Sequence, residues 1–271
     1  MKHKFINRIK SQSFIQTFLS VLVVLIMVAR FLRNDYHSVF LCFLTLLLFN
    51  IPRIAQKTLK VTIPKVLETI ILLFIFSAEI LGEIGNFYKH IPGWDSILHT
   101  LNGFLMAAIG FALIDVLNRS PKFHVSLSPI FVIFVAFCFS MTIGVLWEFF
   151  EYAMDTFAHT DMQKDEKLTE IATFSIKGGR NILEISDIQK TVITTASGET
   201  YTIKNGYLDL GLFDTIKDMI VNGIGAIVFS MIGYLYLIGR NKGVFAKKFI
   251  PQFKETETSD TDTEPDMNME N

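Results

Sequence analysis

Ionisable and amide side chains recur at helical spacing within or beside four apolar segments of the sequence. Members of each group are three or four residues apart, so a helix would place them on one face. Ionisable residues are scarce in such segments and tend to mark functional sites there. The four groups are Glu79 and Glu83; Asp95, His99 and Asn102; Glu148, Glu151 and Asp155; and Asp214, Asp218 and Asn222.

These groups could do chemistry of two kinds if they meet. Carboxylates at close range raise one another's pKa, so a cluster of them requires either retained protons or a bound cation. Carboxylates with one imidazole suit manganese, magnesium or zinc and select none of these metals. The metal-ligand candidates are His99, Asp95, Asp218 and Asp214. The alternative is a relay of protons or cations through protonated acids.

Other members of the groups have different candidate roles. Glu148 and Glu151 are the catalytic candidates, because a carboxylate beside a metal can act as a general base. Further polar-pocket candidates are Glu79, Glu83, Asn102, Asp155 and Asn222. Membrane-interface positions or helix caps are the simpler interpretation for the acids nearest helix ends, where charge costs little. Those acids are Glu83, Asp95, Asp155 and Asp214.

The elements that position these groups are apolar segments long enough to cross a membrane. Hydrophobic residues make up 51% of the 271-residue chain and its mean hydropathy is +0.41, which is too apolar for an ordinary soluble domain. A spanning helix needs roughly 20 apolar residues. The sequence therefore predicts an all-α polytopic membrane bundle of about six helices, at 14–32, 37–52, 66–84, 96–117, 127–150 and 214–238.

Basic residues predict how this bundle is oriented. Lysine and arginine concentrate in alternate connections, so both termini are expected in the cytoplasm of a cell-membrane protein. All four polar groups then lie at the extracytoplasmic end. The predicted organisation is a basic N-terminus at 1–13, five spans within 14–154, an extracytoplasmic loop at 155–213, a sixth span within 214–239 and a cytoplasmic tail at 240–271, acidic and disordered after about residue 254.

Three smaller features complete the expectations. β-rich runs with turn residues Ser197-Gly198 and Asn205-Gly206 predict a small β-hairpin within the loop 155–213. The first helix lacks a small-x-small cleavage site, which favours its retention. Cys42 and Cys138 lie in apolar segments and are expected to be buried thiols. No basic stripe indicates nucleic acid. The apolar segments make the lipid bilayer the predicted partner, and a lipid or cell-envelope precursor is the candidate ligand.

The same residues form three blocks that resemble a known family. The blocks are Trp94-Asp95 with His99, Gly103 and Gly110-Phe111; Gly144-x-Leu146-Trp147-Glu148 with Glu151 and Asp155; and Asp214-Thr215 with Asp218, Asn222 and Gly225-Ala226. Together they resemble the YjdF-like membrane-spanning proteins over roughly 66–238, and more distantly the VanZ-like proteins. The resemblance implies a bacterial polytopic membrane protein and supplies no reaction. The β-containing insertion at 155–213 departs from the compact VanZ-like pattern.

The sequence leaves three functions open. The leading hypothesis is an outward-facing polar pocket that binds a divalent cation and acts on a lipid or cell-envelope precursor. The second is a proton- or cation-coupled transporter. The third is a non-catalytic envelope assembly or interaction protein, for which the hairpin would matter more than the acids.

Overall fold

The chain folds mainly into α-helices. The computed structural model describes residues 2–58, 61–119, 127–176, 181–239, 248–250 and 252–253. The helices are α1 (Lys2–Phe31), α2 (Tyr36–Leu48), α3 (Ile51–Thr58), α4 (Lys65–Phe76), α5 (Phe87–His90), α6 (Trp94–Arg119), α7 (Pro129–Ala158) and α8 (Leu212–Ile238). A π-helical segment, Ser77–Ile84, continues α4.

Five helical stretches within the described residues are long and apolar enough to cross a membrane. They are Phe14–Phe31, Tyr36–Thr58, Trp94–Asp115, Pro129–Ala158 and Leu212–Ile238. The helical membrane class predicted from the sequence is therefore confirmed. The remaining predicted span, 66–84, is helical but divided between α4 and the π-helical segment. Its passage through a membrane stays a prediction.

Helix α7 is longer than the predicted segment 127–150. It begins after Ser128, whose hydroxyl oxygen accepts the Phe131 amide at 3.4 Å, and it has Pro129 in its first turn. No glycine or proline interrupts its C-terminal turns, and it ends where His159 adopts a left-handed conformation at φ 54°. Asp155 consequently lies inside the helix and not at the start of a loop.

Two apolar clusters hold the helices together. One joins α6, α7 and α8 around the buried rings of Phe111, Phe229 and Tyr236. The other joins α1, α2, α4 and the π-helical segment, and it includes the fully buried thiol of Cys42. Cys138 is half-buried, and both cysteines are free. The predicted acidic tail after residue 254 lies outside the described residues.

Short antiparallel strand pairs occupy the region between α7 and α8, and one further pair lies elsewhere. The strands are β1 (Val61–Thr62), β2 (Glu166–Leu168), β3 (Ile171–Thr173), β4 (Leu183–Ile185), β5 (Lys190–Thr194), β6 (Thr200–Lys204), β7 (Tyr207–Asp209) and β8 (Gln252–Phe253). The pairs are β1 with β8, β2 with β7, β3 with β4, and β5 with β6. Lys190 faces Lys204 at one end of the β5–β6 ladder. Whether this region lies outside the cytoplasm stays a prediction.

Glycines let α6 and α8 approach each other at backbone distance. A Cβ atom added at Gly103 would overlap the backbone carbonyl of Asn222, and one added at Gly225 would overlap the carbonyl of Thr100. The two contacts are reciprocal, since each helix supplies one glycine and one carbonyl. Small residues at a helix–helix interface permit this packing in membranes. Contacts between side chains of α6 and side chains of α8 therefore depend on glycine at these two positions.

Replacing Gly225 with alanine is expected to destabilise the bundle. The methyl group cannot avoid the Thr100 carbonyl unless a helix backbone shifts, and overpacking of this kind costs about 1–3 kcal/mol or more. Gly223→Ala is the matched control, because a Cβ there would only reach van der Waals contact with Met141, 3.5 Å from its Sδ. Thermal unfolding of detergent-purified protein should show a lower Tm for Gly225→Ala only. Equal Tm values for both variants would contradict the close approach.

Candidate functional site

Three helices bring four acidic side chains together around one imidazole. His99 and Asp95 come from α6, Glu148 and Glu151 from α7, and Asp218 from α8. The Nε2 atom of His99 lies 3.7 Å from Asp95 Oδ1 and 3.7 Å from Asp218 Oδ2. Its Nδ1 atom lies 3.7 Å from Glu148 Oε1. The two ring nitrogens therefore face different carboxylates.

Most of this cluster is shielded from solvent. Asp218 is 1% exposed and Glu148 is 4% exposed, and His99 and Glu151 are also buried. Both carboxylate oxygens of Asp218 and the Oε2 atom of Glu148 are buried without a hydrogen-bond partner among the described residues. Burying an unpaired carboxylate is costly unless a proton or cation accompanies it. The cluster therefore requires either retained protons or a bound cation.

The cluster contains two sets of three ligand atoms that could hold a metal ion. Asp95, His99 and Asp218 form one set, and His99, Glu148 and Glu151 form the other. Within each set the ligand atoms lie within 4.8 Å of one another. Among the described residues, neither ligand set includes Asp214, Asp155, Glu79 or Glu83.

A pair of amides lies one turn farther along the helices from the cluster. Asn102 Nδ2 donates to Asn222 Oδ1 at 3.1 Å, and Asn222 is fully buried. The Nδ2 atom of Asn222 approaches the Ser140 carbonyl at 3.5 Å, while the Ser140 hydroxyl donates to the Gly103 carbonyl at 2.8 Å. These bonds connect α6, α7 and α8. The predicted pocket residues Asn102 and Asn222 thus fix the helices that carry the cluster.

Asp155 and Asp214 hold the segment 159–165, which we name the strap, against the helix ends. Asp155 accepts the backbone amides of Met162 and Gln163 at 2.7 and 2.8 Å and the hydroxyl of Thr160 at 2.6 Å. The strap amide of Lys164 donates to Asp214 Oδ2 at 2.8 Å. Both acids therefore tie the strap to α7 and α8.

Asp214 also forms a partly buried ion pair. Lys217 Nζ lies 2.6 Å from Asp214 Oδ1, and Asp214 is 1% exposed. Its charge is therefore already compensated by Lys217 and by the strap amide. This pairing distinguishes Asp214 from Asp218, whose oxygens have no such partner among the described residues.

Glu79 and Glu83 lie on the π-helical segment, with Tyr88 as their neighbour toward the cluster. The Tyr88 ring packs on Gly82, and its phenol interacts electrostatically with acids of both groups, among them Glu79 and Asp95. Burial, aided by these carboxylates, raises the pKa of Tyr88 well above its ordinary value. The phenol therefore remains a neutral hydroxyl at physiological pH.

Sequence reasoning missed several side chains that shape the site. Trp147 Nε1 donates to Glu151 Oε1 at 2.8 Å, and Lys164 Nζ lies 5.6 Å from the centroid of the Tyr88 ring. The i,i+4 spacing of Trp147 and Glu151 and the i,i+3 spacing of Asp214 and Lys217 could have revealed two of these contacts. Nothing in the sequence signals the position of Lys164, because it depends on the path of the strap.

The apolar helices and the acidic side chains buried between them define an integral membrane protein. The chain belongs to the family described as predicted membrane protein (DUF2238), whose family model matches residues 14–170. That range includes Asp95, His99, Glu148 and Glu151, whereas α8 follows it.

One relative and one negative result complete the comparison. An uncharacterized protein of Thermotoga maritima is 27% identical over 104 residues, which are 38% of this chain and 52% of that protein. The alignment thus spans about half the length of the relative. No solved structure matches the chain.

Replacing Asp155 with alanine is expected to release the strap. Two backbone amides and one hydroxyl would lose a charged acceptor, and hydrogen bonds to charged groups contribute about 1.5–3 kcal/mol each. Limited trypsin digestion should cleave after Lys164 several-fold faster in Asp155→Ala than in the parent protein. Asp161→Ala is the control in the same strap, because the Asp161 side chain has no hydrogen bond among the described residues. Equal cleavage rates in the two variants would contradict the assignment.

Proposed function

We propose that this membrane protein binds a divalent cation through Asp95, His99 and Asp218 and acts on a lipid or cell-envelope precursor. The basic connections of the sequence favour a site at the end of the bundle facing away from the cytoplasm. The observation that carries the cation is the burial of the Asp218 carboxylate beside the imidazole of His99. Both of its oxygens are buried without a hydrogen-bond partner among the described residues, and one lies 3.7 Å from His99 Nε2.

The separations within the cluster favour a shared cation over direct hydrogen bonds. A distance of 3.7 Å from a ring nitrogen to a carboxylate oxygen is too long for a hydrogen bond. Two ligand atoms on one ion, each about 2.0–2.2 Å from it, are roughly 3–4 Å apart. The distances of His99 Nε2 to Asp95 and to Asp218 fall in that range. Burial of the carboxylates adds a strong reason to recruit positive charge.

The remaining members of the cluster have complementary roles in this proposal. Glu148 faces the Nδ1 side of His99 and would orient the ring by accepting its N–H, as carboxylates do beside many metal-bound histidines. Glu151 is the proposed general base. Trp147 donates a hydrogen bond to one oxygen of Glu151. Among the described residues, no such bond involves the other oxygen, which is therefore available to accept a proton. A bound divalent cation would supply Lewis-acid polarisation of a phosphoryl or carbonyl oxygen.

A lipid-like substrate is supported by the surroundings of Trp147. This residue is 45% exposed on the outer face of α7, yet it hydrogen-bonds directly to the buried Glu151. Its ring lies 5.3 Å from that of Phe150, which is also exposed. Tryptophan and other aromatic residues collect where a membrane helix meets the interface. A molecule held in the bilayer that contacts Trp147 would therefore be one side chain away from Glu151.

Asp218→Asn is expected to remove most of the bound metal. The amide keeps the shape of the side chain but loses the charge, and disruption of a metal site lowers affinity by about 10–100-fold or more. Elemental analysis of detergent-purified protein, dialysed against manganese, magnesium and zinc, would compare the variant with the parent protein. Glu79→Gln is the matched control, because it makes the same change at an acid that belongs to neither ligand set.

Two outcomes would contradict the cation proposal. One is the lack of any stoichiometric divalent metal in the parent protein after dialysis. The other is equal metal content in Asp218→Asn and the parent protein. A folded variant is required for either comparison, so both proteins are first checked by size-exclusion chromatography.

The proposed reaction is tested with membrane lipids. Purified protein would be incubated with a bacterial polar-lipid extract, with and without a metal chelator, and the lipids compared by mass spectrometry. We expect at least one lipid species to be converted only when metal is present, and Glu151→Gln to abolish that conversion while retaining metal. Identical lipid profiles under all conditions would refute the enzymatic part of the proposal. The metal-binding part would then stand by itself.

Proton- or cation-coupled transport is the second candidate. Two further acids, Glu68 on α4 and Asp115 on α6, are buried near the opposite end of the bundle. A path that carries protons or cations across the membrane would use buried acids near both ends of the bundle. A proton-flux assay in liposomes separates the candidates, because transport requires flux that depends on Asp218 and Asp115. The YjdF-like resemblance is compatible with either function.

A further inference from the structure

A groove separate from the acidic cluster lies between α1 and the π-helical segment. Its volume is about 320 Å³. The groove combines an apolar floor with basic side chains at its rim. We call its apolar lining residues, among them Ile26, Ala29, Ile80 and Leu81, the floor, and its two lining arginines, Arg30 and Arg33, the rim.

Arg30 is fixed at the rim by two internal contacts. Its Nη2 atom donates to the carbonyl oxygen of Ile84 at 3.3 Å, and its Nη1 atom lies 3.3 Å from Asp35 Oδ2. The Ser38 hydroxyl and amide both donate to Asp35 and hold the pKa of its carboxyl below the ordinary value. Asp35 is therefore ionised at neutral pH and orients the Arg30 guanidinium without leaving the rim uncharged.

Arg33 supplies positive charge that no group among the described residues offsets. It follows Arg30 by three residues, is exposed, and has no hydrogen bond or ion pair among the described residues. The two arginines and Asp35 together carry one net positive charge. Guanidinium groups match the oxygens of a phosphate in shape and charge. The rim is thus suited to an anionic group.

The position of the groove indicates where the anion comes from. It lies at the end of α1, where Phe31 in the last turn packs edge-on against the exposed ring of Tyr36, with centroids 6.2 Å apart. Exposed aromatic residues at the end of a membrane helix mark the depth of lipid headgroups. An apolar floor under a basic rim accommodates an acyl chain under a phosphate. A soluble anion would gain nothing from that floor.

We propose that this groove binds an anionic phospholipid, with its phosphate on Arg30 and Arg33 and the upper part of an acyl chain against Ile80 and Leu81. The site is independent of the proposed cation site, since the two sets of residues do not overlap. Its occupant is a lipid of the surrounding bilayer, and its recognition depends on charge and on the apolar floor together.

Arg33→Gln is the sharpest test, because it removes charge and no internal contact. Native mass spectrometry of the detergent-purified protein would measure retention of phosphatidylglycerol against phosphatidylcholine. We expect the variant to bind phosphatidylglycerol about tenfold more weakly and phosphatidylcholine unchanged. Arg53→Gln is the control, since Arg53 is an exposed arginine on α3, away from the groove. Equal phosphatidylglycerol retention in the parent protein and Arg33→Gln would overturn the proposal.

A second variant tests the apolar floor. Ala29→Trp would fill the groove while leaving both arginines in place, and it should reduce phosphatidylglycerol retention to the level of Arg33→Gln. Competition with inorganic phosphate separates a lipid site from an anion site. We expect millimolar phosphate to displace little lipid. Complete displacement by phosphate, or unchanged retention in Ala29→Trp, would show that no lipid-shaped site exists.

Discussion

The close approach of α6 and α8 is the constraint on which the candidate site depends. Gly103 and Gly225 each leave room for a backbone carbonyl of the opposite helix. Only at that distance can His99 on α6 lie 3.7 Å from Asp218 on α8. Larger residues would separate the helices and leave the imidazole and the carboxylate out of reach. Packing at two small residues therefore determines the chemistry available one or two turns away.

Charge balance is the second organising factor, and the acids satisfy it in different ways. Asp214 is compensated by Lys217 and by the strap, and Asp155 by amides and a hydroxyl. Asp218 has none of these partners among the described residues, although it is equally buried. These three aspartates thus divide into two, Asp155 and Asp214, that are held by hydrogen bonds, and one, Asp218, whose oxygens have no hydrogen-bond partner among the described residues.

The sequence predicted the helical membrane class, because the length of apolar segments carries that information. From helical spacing it also predicted that four polar groups gather at one end of the bundle, and the structure brings acids of three of these groups around His99. Lys217, three residues after Asp214, signals one difference between Asp214 and Asp218, but the other, a strap amide fifty residues away along the chain, has no signal in the sequence. The sequence also grouped Glu79 with the other acids, because the predicted orientation of the helices puts all four polar groups at the same membrane face. The π-helical segment and the intervening Tyr88 depend on tertiary packing that periodicity does not encode.

The position of His99 between two sets of carboxylates imposes an either/or choice. A neutral imidazole has one lone pair, so only one of its nitrogens can bind an ion while the other carries the hydrogen. Asp95 and Asp218 lie on one side of the ring, and Glu148 on the other. A cation bound on one side would make the opposite nitrogen a donor to the carboxylate facing it. The two sets of ligand atoms could then not both use His99 at the same time, and the tautomer of this single ring would couple Glu148 on α7 to Asp218 on α8.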